Sequence, residues 1–147
     1  MNILVAYATN SGGTAEAAQI VTDTLTTQSH TVTLKRITDV NPDALSTFDV
    51  ILFGSPSWDY KDQEGVPHED FIAFMEKMKG KTMSKPFAIF GLGDRSYPHF
   101  CGAVEHLEAF VKTIGGTLVG PSLRIDGFYT KPGNRETVQK WAQQIIR

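Results

Sequence analysis

Three short stretches of unbroken apolar residues limit most severely what this chain can become: Ile3-Leu4-Val5-Ala6-Tyr7-Ala8, Val50-Ile51-Leu52-Phe53 and Phe87-Ala88-Ile89-Phe90. A strand with one wet face alternates apolar and polar side chains, whereas a strand without a polar position is covered on both faces. The segments that follow have a different period. Residues 14–27 place Ala17, Ile20, Val21 and Thr24 on one helical stripe, and residues 66–79 do the same with Phe71, Ile72, Phe74, Met75 and Met78. Residues 102–114 carry Ala103, Leu107, Phe110, Val111 and Ile114, with Gly115-Gly116 as the stop. Residues 134–146 carry Val138, Trp141, Ala142 and Ile145. Residues 31–37 alternate Val32, Leu34 and the Arg36 stem with polar neighbours, as an edge strand does, and residues 117–126 read as a last strand. Five strands alternating with about five helices predict a three-layer, doubly wound α/β fold, a parallel sheet with helices on both faces.

Such sheets bind ligands beyond the carboxyl ends of their strands, where the strand order reverses. The loops leaving the three apolar strands are therefore the places to look. The first is Thr9-Asn10-Ser11-Gly12-Gly13-Thr14. Its hydroxyls, carboxamide and glycines can wrap a phosphate with backbone N–H groups, and the helix that follows favours negative charge at its start. It contains no Lys or Arg, so it suits one terminal phosphate held by dipoles alone. The second, Ser55-Pro56-Ser57-Trp58-Asp59-Tyr60, puts a large aromatic ring on a turn. That exposure is costly unless a ligand covers the ring or the ring folds back onto the domain. The third, from Gly91-Leu92-Gly93-Asp94 through Tyr97 to Phe100-Cys101-Gly102, has two glycines that allow close backbone approach and a second loop aromatic. Together they suit a flat aromatic ligand with a phosphate tail.

Composition removes other classes. The chain has 147 residues, 41% hydrophobic and 20% charged, which fits one soluble domain over residues 1–147. A formal charge of −2 argues against a nucleic-acid binder. No apolar run approaches the roughly 20 residues needed to span a bilayer. A first strand starting near residue 2 leaves no room for a signal peptide, and a single cysteine fits a reducing, cytoplasmic setting. His30, His68, His99 and His106 have no metal-ligand spacing with Cys101, so no metal is expected.

Over its whole length the sequence resembles the flavodoxins of the short-chain type. The resemblance is carried by Thr9-Asn10-Ser11-Gly12-Gly13-Thr14, Gly54-Ser55-Pro56-Ser57-Trp58, Gly91-Leu92-Gly93-Asp94-Arg95-Ser96-Tyr97, Phe100-Cys101-Gly102 and Leu123-Arg124-Ile125-Asp126-Gly127. It implies strand order 2-1-3-4-5, which the general description of doubly wound sheets gives for flavodoxin itself. It also implies a bound FMN and a low-potential one-electron carrier that shuttles between a reductase and acceptor enzymes in transient complexes, as a monomer. Thr9, Asn10, Ser11, Gly12, Gly13 and Thr14 would hold the phosphate, and the ribityl chain would pass Pro56 and Ser57. Trp58 would flank one face of the ring and Tyr97 would stack on the other. Backbone groups of Ser57, Trp58, Asp59, Gly93, Asp94 and Cys101 would line the ring edges, with Ser55, Gly91, Leu92 and Phe100 completing the binding set. Cys101 reads as a small buried hydrophobe rather than a redox group, and Phe100 as core.

Two residues depart from the family pattern. Asp59 stands where many flavodoxins have Gly, whose freedom lets a peptide flip and its carbonyl accept from flavin N5–H. Arg95 lies in a ring loop, and the near-neutral total charge disfavours docking by a broad acidic face. The local cluster Asp59, Asp62, Glu64, Glu69 and Asp70, against Lys61, leaves room for electrostatic tuning and steering of partners. A flavodoxin-like NAD(P)H-dependent FMN or quinone reductase is the rival reading, disfavoured because no second nucleotide motif is present. Another is a free-standing relative of the FMN domains of diflavin reductases. A receiver domain would need acids where Tyr7-Ala8-Thr9 stands and an Asp at Ser55; a nucleotide hydrolase would need Gly-Lys-Ser/Thr in the first loop.

Overall fold

The apolar strands stack side by side, as their lack of a polar face demands. A computed structural model describes residues 1–9, 12–60, 63–93, 101–129 and 131–146, with backbone alone for 58–60, 63 and 64. Its strands are β1 (Asn2–Tyr7), β2 (Thr31–Arg36), β3 (Val50–Tyr60), β4 (Gln63–Pro67), β5 (Pro86–Gly93), β6 (Thr117–Leu118) and β7 (Leu123–Asp126). Its α-helices are α1 (Gly13–Thr27), α2 (Glu69–Lys77), α3 (Gly102–Thr113) and α4 (Asn134–Ile145). The main path runs β2-β1-β3-β5-β6, with every neighbour parallel, and β7 also pairs parallel with β5. With β6 and β7 taken as two pieces of one strand, this is the expected 2-1-3-4-5 order.

Three details differ from the sequence reading. The last strand is broken at Gly120-Pro121, where proline has no N–H to give to a ladder. Val66 and Pro67, expected as the start of a helix, instead end β4, which runs antiparallel to β3. Helix α2 begins only after Pro67, where His68 Nδ1 accepts from the Asp70 amide at 3.1 Å. Among the described residues there are four α-helices rather than about five. The crossover from β2 to β3 uses two 3₁₀ segments, Ile37–Asp39 and Pro42–Thr47, the second capped by Asn41 Oδ1 on the Asp43 amide at 3.0 Å.

Alternate residues of each central strand feed opposite cores. On one face Leu4, Ala6, Ile51, Phe53, Phe87 and Ile89 meet Phe71 and Phe74 of α2 and Leu107 and Val111 of α3. On the other, Ile3, Val5, Leu52, Ala88 and Phe90 meet Ala17 and Val21 of α1 and Val138 and Trp141 of α4. Phe53 is the hub of the first core. The rings of Phe71, Phe74, Phe87 and Phe110 surround it at centroid distances of 5.4, 6.0, 5.4 and 6.5 Å. No helix among the described residues is long and apolar enough to cross a membrane.

Candidate functional site

The strand register brings the loops to one edge. Tyr7 lies opposite Gly54, Pro56 opposite Leu92, and Gly93 opposite Asp126, while the Ala8 amide donates to the Gly54 carbonyl at 3.0 Å. The chain leaves β1 for β2 on one side and returns to β3 on the other. The order therefore reverses between β1 and β3, and a crevice opens there.

The first loop ends in an anion-ready turn. The Gly12 amide donates to Thr9 Oγ1 at 2.9 Å, and Gly12 adopts the left-handed φ of 91° that glycine tolerates best. The first intrahelical bond runs from the Glu16 amide to the Gly12 carbonyl at 3.0 Å, so the amides before Glu16 open α1 without intrahelical acceptors. Thr14 is only 2% exposed, and among the described residues its hydroxyl has no hydrogen-bond partner. A buried hydroxyl, open amides and a positive helix end form a donor set that fits a terminal phosphate. Gly13 is walled in: a methyl group built on it would sit 3.2 Å from Leu92 Cδ2 and 3.4 Å from Tyr129 Cε2. Asn10 and Ser11 lie outside the described residues.

At the other end of the crevice, residues 57–60 are not the expected turn. They continue β3 into a hairpin with β4, with Trp58 opposite Val66 and a register shift between Trp58 and Tyr60. The side chains of Trp58 and Asp59, and all of Asp94, Tyr97 and Phe100, lie outside the description. The hairpin is fastened to α3. Ser57 Oγ accepts from the Ala103 amide at 3.1 Å, and a methyl group on Gly102 would stand only 2.4 Å from the Gly65 carbonyl oxygen.

Ser55 is fully buried. Its hydroxyl donates to the Pro56 carbonyl at 2.8 Å and accepts from the His68 amide at 3.0 Å, so its side chain belongs to the framework. Cys101 is likewise fully buried, at the N-cap of α3 with φ 50°, its Sγ 3.7 Å from the carbonyl oxygens of Gly91 and Ile125. Gly91 and Leu92 are buried in β5, and Gly93 ends that strand against Cys101.

Sequence reasoning missed Tyr129. It lies 59% exposed on the loop after β7, beside Gly12 and Gly13. The rule that singled out Trp58 and Tyr97, an aromatic on a loop leaving the carboxyl end of a strand, would have found it. Its phenol is held above the ordinary value, first by shielding of the hydroxyl from water and then by the Glu16 carboxylate, with Arg135 opposing.

The sequence model of the flavodoxin family matches residues 5–141. The flavodoxin of Maridesulfovibrio salexigens is 31% identical over 144 residues, covering 97% of this chain and 94% of that protein. The flavodoxin of Nitratidesulfovibrio vulgaris is 33% identical over 147 residues, covering 99% and 97%. Among solved structures, oxidised flavodoxin 2 from Bacillus cereus superposes with a TM-score of 0.86 at 27% identity, over 97% of this chain and 95% of that one. With the reversed strand order, the phosphate-ready turn and matches across nearly its full length, the chain belongs to the flavodoxin family.

Proposed function

We propose that this protein is an electron carrier that holds FMN in the crevice at the carboxyl edge of its sheet. The observation that carries the reading is the start of α1, where Gly12 is left-handed and the buried Thr14 hydroxyl has no partner among the described residues. Bound FMN supplies the redox chemistry, taking up and giving back electrons singly. The protein's part is to bind and tune. Thr9 to Thr14 hold the phosphate. Pro56 and Ser57 border the ribityl chain, Trp58 and Tyr97 enclose the ring, and the backbone of Asp59, Gly93, Asp94 and Cys101 lines its edge.

Apolar enclosure and the acids between Asp59 and Asp70 would disfavour the negative charge that full reduction adds to bound FMN, and so would lower the second one-electron potential. The chain acts as a single-domain monomer without catalytic residues, in the cytoplasm, in transient complexes with a reductase donor and an acceptor enzyme. A single cysteine, unable to form an internal disulfide, supports that setting.

The absorbance spectrum of the purified protein, followed through anaerobic photoreduction, is the test. A yellow protein with a flavin spectrum that bleaches in two one-electron stages is expected. A colourless protein that cannot be loaded with FMN would overturn the reading. Direct oxidation of NADPH by the loaded protein would move it to the reductase alternative.

Asp59 offers a second measurement. Asp59 continues β3 in the structure, so a flip of its peptide towards a bound ring would require a left-handed turn there, at a cost to a non-glycine residue of about 1–2 kcal/mol. Asp59→Gly is therefore expected to raise the first one-electron potential by about 40–80 mV, since each kcal/mol is worth about 40 mV in a one-electron couple. A redox titration giving an unchanged or lower potential contradicts this.

A further inference from the structure

We propose that Tyr129 is a positioning residue for the cofactor phosphate, its ring forming the outer wall that holds the Gly12-Gly13 turn in its binding shape. The proposal rests on the FMN reading above. A turn built on two glycines has more backbone freedom to lose than any other, so a preorganised one needs support from outside itself. Here the support is two-sided. Methyl groups built on the turn would meet Leu92 Cδ2 at 3.2 Å from within the sheet, and Tyr129 Cε2 at 3.4 Å and Oη at 3.5 Å from the solvent side.

Tyr129 is itself anchored. Its ring stands edge-on to Phe128 at 5.3 Å and 73°, and Phe128 is 8% exposed in the core shared by α1 and α4. Together with Phe128, Lys131, Asn134 and Arg135, Tyr129 also lines an open cleft of about 360 Å³.

The surroundings also suit a doubly negative group. Glu16, in the first turn of α1, would repel it, but Arg135 Nη1 lies 2.8 Å from Glu16 Oε2 and offsets that charge. The phenol, titrating above its ordinary range, adds no charge of its own. The wall is neutral, and its contribution is preorganisation rather than attraction.

Fluorescence titrations with FMN and with riboflavin separate the phosphate from the ring system. Tyr129→Ala is expected to weaken FMN about tenfold while leaving riboflavin within about twofold, and Tyr129→Phe to bind both as the unaltered protein does. Equal losses for the two flavins would mean general loosening and overturn the proposal. So would an unchanged FMN affinity, or a Tyr129→Phe loss as large as that of alanine. An unaltered protein that binds neither flavin would instead overturn the FMN reading on which the proposal stands.

Discussion

Gly102→Ala is expected to cost about 3 kcal/mol of stability and to weaken FMN binding about tenfold. The added carbon would stand 2.4 Å from the Gly65 carbonyl oxygen and 3.1 Å from the carbon atoms beside it. These are backbone atoms, so no rotamer change relieves the clash. Either α3 or the hairpin must move. Movement of the hairpin breaks the contact between Ser57 Oγ and the Ala103 amide and carries the outer half of β3 with it, including the segment assigned to the ring. Urea denaturation of the flavin-free protein reads the first effect without the added stability that ligand binding gives, and flavin titration reads the second. A variant as stable as the parent would show that this approach is not tight.

Phe53→Ala is expected to be the most damaging core truncation, at about 4 kcal/mol. Phe53 is fully buried in the central strand of the sheet, and four aromatic rings from α2, β5 and α3 pack around it. Its loss leaves a cavity that none of them can fill without abandoning another contact. Set against the roughly 5–15 kcal/mol that holds a typical domain together, such a loss leaves the fold barely stable. Phe53→Leu, which keeps most of the volume, should cost about 1–2 kcal/mol. Urea midpoints of the two variants decide the matter, and a loss below about 1 kcal/mol for alanine would refute the hub assignment.

The parts of the fold that the sequence announced are those where one physical demand dominates. An unbroken run such as Val50-Ile51-Leu52-Phe53 can only be satisfied between two layers, and the stripes of α1, α3 and α4 have one apolar side each. Val66-Pro67 was assigned to a helix because a lone apolar residue before a helix fits either period; pairing with β3, a tertiary event, puts it in a strand instead. Pro67 was the local hint that the helix starts later, and Gly120-Pro121 the hint that the last strand breaks.

Within the site, the left-handed Gly12 that opens α1 was legible because the demand for a glycine at such a turn is local. The hydroxyl of Ser55 was not, since its engagement with the His68 amide depends on a hairpin that no spacing rule foretells. Tyr129 was missed for a related reason. Its relevance comes from lying against Gly12 and Gly13, more than a hundred residues away along the chain.

The strand order also sets when the protein can capture its prosthetic group during synthesis. The crevice opens between β1 and β3, but the end of β5 that borders it emerges only with residue 93, and the Tyr129 loop arrives later still. Early nascent chains thus expose a half-built cleft, and cofactor loading belongs to the closing stage of biogenesis.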